Sequence, residues 1–141
     1  MFLGSQAHQL DAKNRIRIPA KFKAETDEPL VFCKGTTSCI FVFPKSVFEN
    51  YAKQFSSVPF FDEEGQFALS LFMSSFEPVV EDNQGRAVLP SALKEYAGID
   101  KNVITVGVVN RLEIWSAEVR AAKEKEKSYN ERIQDLALKV K

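Results

Sequence analysis

The segment "LDAKNRIRIPAKF", Leu10–Phe22, returns in altered form as "EDNQGRAVLPSAL", Glu81–Leu93. Both read Asp, three residues, Arg, three residues, Pro, so an offset of 71 superposes Asp11 on Asp82, Arg15 on Arg86, Pro19 on Pro90 and Phe22 on Leu93. One inserted residue raises the offset to 72, and Val31 then falls on Val103, Gly35 on Gly107, Ile40 on Leu112, Val42 on Ile114 and Phe43 on Trp115. An internal repeat of this length marks one supersecondary unit written twice.

Around the motif the signals are those of short strands. "QAHQL" reads as a strand, "DAKN" as a turn, and "RIRIP" as a second strand alternating polar and apolar until proline stops it. "PAKFKAE" and "PSALKEYAG" open on proline, and the second closes on Gly98, as brief helices do. "LVFCK" and "CIFVF" around "GTTS", then "VITVG" and "RLEIW" around "VVN", give a hairpin in each half. Each unit is therefore β-β-α-β-β. Four short strands with one apolar face are marginal alone, and two such units can pack face to face about a pseudo-two-fold axis. Between them, "PKSVFENYAKQF" predicts a helix with Val47, Phe48, Tyr51 and Phe55 on one face. "DEEGQFALSLFMSSF" predicts another with Phe67, Leu71 and Ser74 or Ser75 on its packed face. After Trp115 the chain predicts a helix opening at Ser116, with a thin stripe of Ile133, Leu136 and Val140.

Composition bounds the function. A chain of 141 residues, 45% hydrophobic with 12 Phe, can bury a core. Its longest uncharged run, between Glu64 and Glu77, has 12 residues, short of the roughly 18 to 20 of a membrane span. "MFLGSQAHQLDAK" lacks a basic and then apolar leader, so a cytoplasmic location is expected. Cys33 and Cys39 have no metal or redox spacing and read as reduced core residues. His8, the sole histidine, has no nucleophile motif beside it, and neither a catalytic set nor a calcium loop is present. The chain is expected not to be an enzyme, and no cofactor, metal or small-molecule substrate is expected.

Net charge is zero, yet residues 1–24 carry five basic side chains against Asp11 alone. Alternation places Ile16 and Ile18 on one side of their strand and Arg15 and Arg17 on the other, with Lys13 in the turn. An aspartate opening such a turn accepts backbone N–H bonds and can brace the Arg15 guanidinium, presenting it as a fixed fork. A fixed arginine fork flanked by lysine suits a guanine edge and its phosphates. The alternatives are a pair that only staples a hairpin, and a non-catalytic oligomerisation module that binds a protein partner. RNA is disfavoured because no aromatic residue interleaves with Lys13, Arg15 and Arg17.

"MFLGSQAHQLDAKNRIRIPAKF", "EDNQGRAVLP" and "GVVNRLEIWS" together resemble the MraZ family, over residues 1 to about 119. The resemblance implies tandem SpoVT/AbrB-type repeats forming an α+β, mainly β, swapped-hairpin barrel with bridging and C-terminal helices. Expected boundaries are 5–47 and 76–119 for the repeats, 48–75 for a helical connector and 120–141 for a C-terminal extension. It also implies a nucleoid-associated transcriptional regulator that binds double-stranded DNA at short tandem repeats in the promoter of its own division and cell-wall gene cluster, and assembles with itself into rings. The DNA-binding residues expected are Asp11, Lys13, Asn14, Arg15 and Arg17 in the first repeat, with Asp82, Gln84 and Arg86 in the second. Asn14 stands where the family usually has glycine, and asparagine tolerates the left-handed conformation better than most residues.

Overall fold

The computed structural model describes residues 1–140; Lys141, the last residue of the expected extension, lies outside it. The first unit comprises β1 (Ser5–Gln9), β2 (Arg15–Arg17), α1 (Ala20–Lys23), β3 (Leu30–Lys34) and β4 (Ile40–Pro44). The second comprises β5 (Glu77–Pro78), β6 (Arg86–Val88), α4 (Ser91–Tyr96), β7 (Asn102–Val108) and β8 (Arg111–Ser116). Helices α2 (Lys45–Phe55) and α3 (Glu63–Ser74) connect them, and α5 (Ala117–Glu124) and α6 (Tyr129–Lys139) follow. The fold is α+β, with the strand order in each unit that the repeat predicts.

Pairing is exchanged between the units. One antiparallel sheet runs β1-β7-β8-β4-β3-β5, and β2 pairs with β6 in a separate ribbon. Replacing each strand by its counterpart in the other repeat turns the six-stranded order into its own reverse. The first strand of each unit lies beside the third strand of the other, β1 on β7 and β5 on β3. A pseudo-two-fold axis follows from register: β2 and β6 meet at Ile16 opposite Ala87, and β4 and β8 meet at Phe41 opposite Glu113, both pairs of repeat-equivalent residues.

Alternation along the strands sorts side chains between two cores. Ile16, Ile18, Ala87 and Leu89 from the ribbon and Phe22 and Leu93 from α1 and α4 pack on Phe32, Ile40, Val42, Val103, Leu112 and Ile114 of the sheet. The opposite sheet face carries Phe41, Phe43, Cys33, Cys39 and Trp115, covered by Val47, Phe48, Tyr51, Phe72 and Phe76. Burial pushes both thiols up to about 12, so neither forms the reactive thiolate at neutral pH.

Two helical expectations need correction. In α3 the packed side chains are Phe72 and, just beyond it, Phe76, which stacks on Phe43 and tilts against Phe48, whereas Phe67 and Leu71 face solvent. This helix is apolar on more than one side, so periodicity does not single out the face that docks. The C-terminal segment is two helices, not one. The Ser128 hydroxyl accepts the Glu131 backbone N–H and donates to the Glu131 carboxylate, an N-cap that starts α6 afresh. Its stripe of Ile133, Leu136 and Val140 is exposed. Among the described residues no helix is long and apolar enough to cross a membrane.

Candidate nucleic-acid interface

The two Asp-x-x-x-Arg turns are near copies in atomic detail. Asp11 Oδ1 accepts the backbone N–H groups of Lys13 and Arg15, each at 2.9 Å, and Oδ2 accepts Arg15 Nε–H at 2.7 Å. Asp82 Oδ1 accepts those of Gln84 and Arg86 at 2.8 and 3.0 Å, and Oδ2 accepts Arg86 Nε–H at 3.0 Å. Each turn also closes through its backbone, Asp11 N–H to the Arg15 carbonyl and Asp82 N–H to that of Arg86. The fourth position of each motif has positive φ, 58° at Asn14 and 74° at Gly85, so asparagine does keep the left-handed turn. Bonds from the Arg15 and Arg86 backbone amides, reinforced by their side chains, hold the Asp11 and Asp82 carboxyls below the usual carboxylate range.

Pairing of β2 with β6 sets the two turns side by side. Arg15 Nη1 lies 3.6 Å from Asp82 Oδ2, and Arg86 Nη1 lies 4.0 Å from Asp11 Oδ2. These cross-contacts are too long to be hydrogen bonds. Each guanidinium is thus pinned at Nε and steered at Nη1, while Nη2 has no hydrogen-bond partner among the described residues. Both arginines are half-buried, which restricts their rotamers, and the four charges sum to zero.

The exposed face of the ribbon is completed by Arg17, opposite Arg86, and Val88, opposite Arg15. Val88 was missed by the motif reading although alternation along β6 places it beside Arg86 on the outward face. Lys13 and Asn14 border a shallow cleft shared with Lys94 of α4. The remaining basic residues of the N-terminal cluster have other partners. Lys21 Nζ donates to the Ser5 carbonyl at 2.7 Å and lies over the Phe22 ring, and Lys23 is ion-paired with Glu81. The basic face is consequently narrower than five clustered charges suggest. His8 sits away from the ribbon, its Nε2 2.7 Å from the buried Thr105 hydroxyl, and burial lowers its pKa.

A model of the MraZ protein family, described as antitoxin-like, matches residues 1–69 and again 72–135. The chain belongs to the MraZ family. Proteins named "Transcriptional regulator MraZ" are similar to it along most of their length. That of Syntrophomonas wolfei is 43% identical over 134 residues, 95% of this chain and 90% of the relative. That of Carboxydothermus hydrogenoformans is 40% identical over 119 residues, covering 84% and 83%. That of Clostridium acetobutylicum is 37% identical over 136 residues, covering 96% and 92%.

Proposed function

We propose that this MraZ-family chain is a non-catalytic, sequence-specific DNA-binding regulator that reads double-stranded DNA through the β2–β6 ribbon. The observation that carries the reading is the braced pair of arginines, set side by side on a two-stranded ribbon narrow enough for the major groove. The relatives' name, transcriptional regulator, supports it. In this reading Arg15 and Arg86 each offer their terminal donors to a guanine O6/N7 edge. Asp11 and Asp82 fix the forks. Lys13 and Arg17 neutralise phosphates, and Asn14 and Gln84 approach the backbone or base edges from the turns. Repeats 5–47 and 76–119 are then one reader, with 48–75 a connector and 120–141 an extension.

Because the quartet is neutral and the whole chain has zero net charge, a single ribbon neutralises few phosphates. Linking several ribbons in one homo-oligomer, facing tandem repeats upstream of its own division and cell-wall genes, raises affinity by roughly 10² to 10⁴ through intramolecular contacts. The cytoplasmic nucleoid is where such a protein works. Fluorescence anisotropy with duplexes holding one, two or three copies of a short repeat taken from the DNA upstream of its gene, against scrambled duplexes, tests the reading. Affinity is expected to rise steeply with repeat number and fall with salt. Equal binding to scrambled DNA would remove the sequence-specific reading, and no binding to any duplex would leave a protein-binding module.

A further inference from the structure

Two strands of the ribbon turn four side chains outward, Arg15 and Arg17 from β2 and Arg86 and Val88 from β6, while Ile16 and Ala87 point into the core. Three of the four are arginines and the fourth is apolar. Val88 is 62% exposed and belongs to neither hydrophobic core, although Ala87 and Leu89 on either side of it are buried. Strand propensity alone does not call for valine here, because the equivalent position in β2 holds Arg17 and pairs in the same ribbon.

Val88 stands directly opposite Arg15, and residues paired in this way have Cβ atoms about 4.5–5.5 Å apart. On its other side it lines the shallow cleft bordered by Lys13, Asn14, Lys94 and Glu95. An isopropyl group left beside a guanidinium and two ammonium groups gains nothing in water. Against a base edge in the major groove it meets the one apolar group presented there, the C5-methyl of thymine.

We infer that Val88 is a specificity-determining residue, packing on the methyl group of a thymine beside the guanine taken by Arg15. This rests on the reading of the ribbon as the DNA-binding element, and it adds a second kind of base to what the ribbon recognises. Stacked base pairs are about 3.4 Å apart, so a side chain about 5 Å from the Arg15 Cβ reaches the pair next to that guanine and not one several steps away. Arg86, at the other end, has Arg17 opposite it instead of valine, so the guanine it takes has no thymine read in this way.

The test is a deoxyuridine scan with the full-length protein. Each thymine of a duplex taken from the DNA upstream of its gene is replaced in turn by deoxyuridine, which lacks the methyl group and keeps the pairing edge. Affinity is measured by fluorescence anisotropy. One replacement, next to a guanine, is expected to weaken binding of the unaltered protein roughly three- to fivefold, the value of about one buried methyl group. Val88→Ala should bind the thymine duplex more weakly by a similar factor and become insensitive to deoxyuridine at that position. There the unaltered protein should also prefer 5-methylcytosine to cytosine, and Val88→Ala should not. Val88→Arg, which copies Arg17, is the second variant if alanine disturbs the ribbon by circular dichroism. It should be equally blind to the methyl group and steepen the slope of log K against log salt by about 1. A scan in which no thymine matters to the unaltered protein, or in which Val88→Ala keeps the parental sensitivity, overturns the inference while the ribbon still reads DNA. Equal binding of the unaltered protein to scrambled duplex overturns the ribbon reading and this inference with it.

Discussion

The turn at Asp11–Arg15 and the turn at Asp82–Arg86 have the same hydrogen bonds, the same left-handed fourth residue and the same carboxylate–guanidinium brace. Their surroundings differ. Lys13 and Arg17 in the first turn and strand stand where the second has Gln84 and Val88. Geometry is shared between the repeats and charge is not, which separates the residues that build the motif from those that adjust what it attracts.

The largest effect is expected where the two repeats meet. Ile16, fully buried opposite its equivalent Ala87, should cost about 2–5 kcal/mol of stability when cut to alanine. If the halves are interchangeable about the axis, Ile16→Ala/Ala87→Ile restores the volume and most of that loss in a urea melt; no recovery would show that the axis is only approximate in its packing.

Next come the forks. Arg15→Ala and Arg86→Ala should each weaken specific DNA binding by about 1–3 kcal/mol, and each leaves the quartet with a net charge of −1. Equal losses by anisotropy would sharpen the comparison. An Arg86→Ala protein that binds normally would reduce the second turn to scaffolding.

The charge difference should appear in salt dependence. Removing Lys13 or Arg17 is expected to lower the slope of log K against log salt by about 1 each, whereas Gln84→Ala and Val88→Ala leave it unchanged.

The smallest effect is with pH. The folded carboxyls of Asp11 and Asp82 titrate below their ordinary 3.8, so the stability they contribute is fully present above that value. It is lost only as pH falls through the lowered folded values. Carbon-13 titration by NMR should find both below 3.8, and thermal stability should show no loss from these turns between neutral pH and about 4. A carboxyl titrating at its ordinary position would mean that its brace is absent in solution.

What the sequence made legible was local. The repeat, the alternation of Ile16 and Ile18 with Arg15 and Arg17, the proline-led helices and the aspartate brace all depend on neighbours within a few residues. Pairing of β1 with β7 and of β5 with β3 depends on chain segments far apart, and no alternation pattern names a strand's partner. The packed face of α3 is not legible because apolar residues lie around more than one side of it. The break before α6 is readable in the Ser-x-x-Glu spacing of Ser128 and Glu131, where Ser128 caps the helix, but the run of good helix formers hides it. The diversion of Lys21 and Lys23 to Ser5 and Glu81 belongs to tertiary structure alone.

The strand exchange also has a genetic meaning. In a dimer of identical chains, a substitution at one end of a shared ribbon is copied to the other by symmetry. Here both ends are encoded in one reading frame, so codon 17 can specify arginine while its counterpart, codon 88, specifies valine. Halves that interlock through exchanged strands are nonetheless free to mutate independently at matched positions.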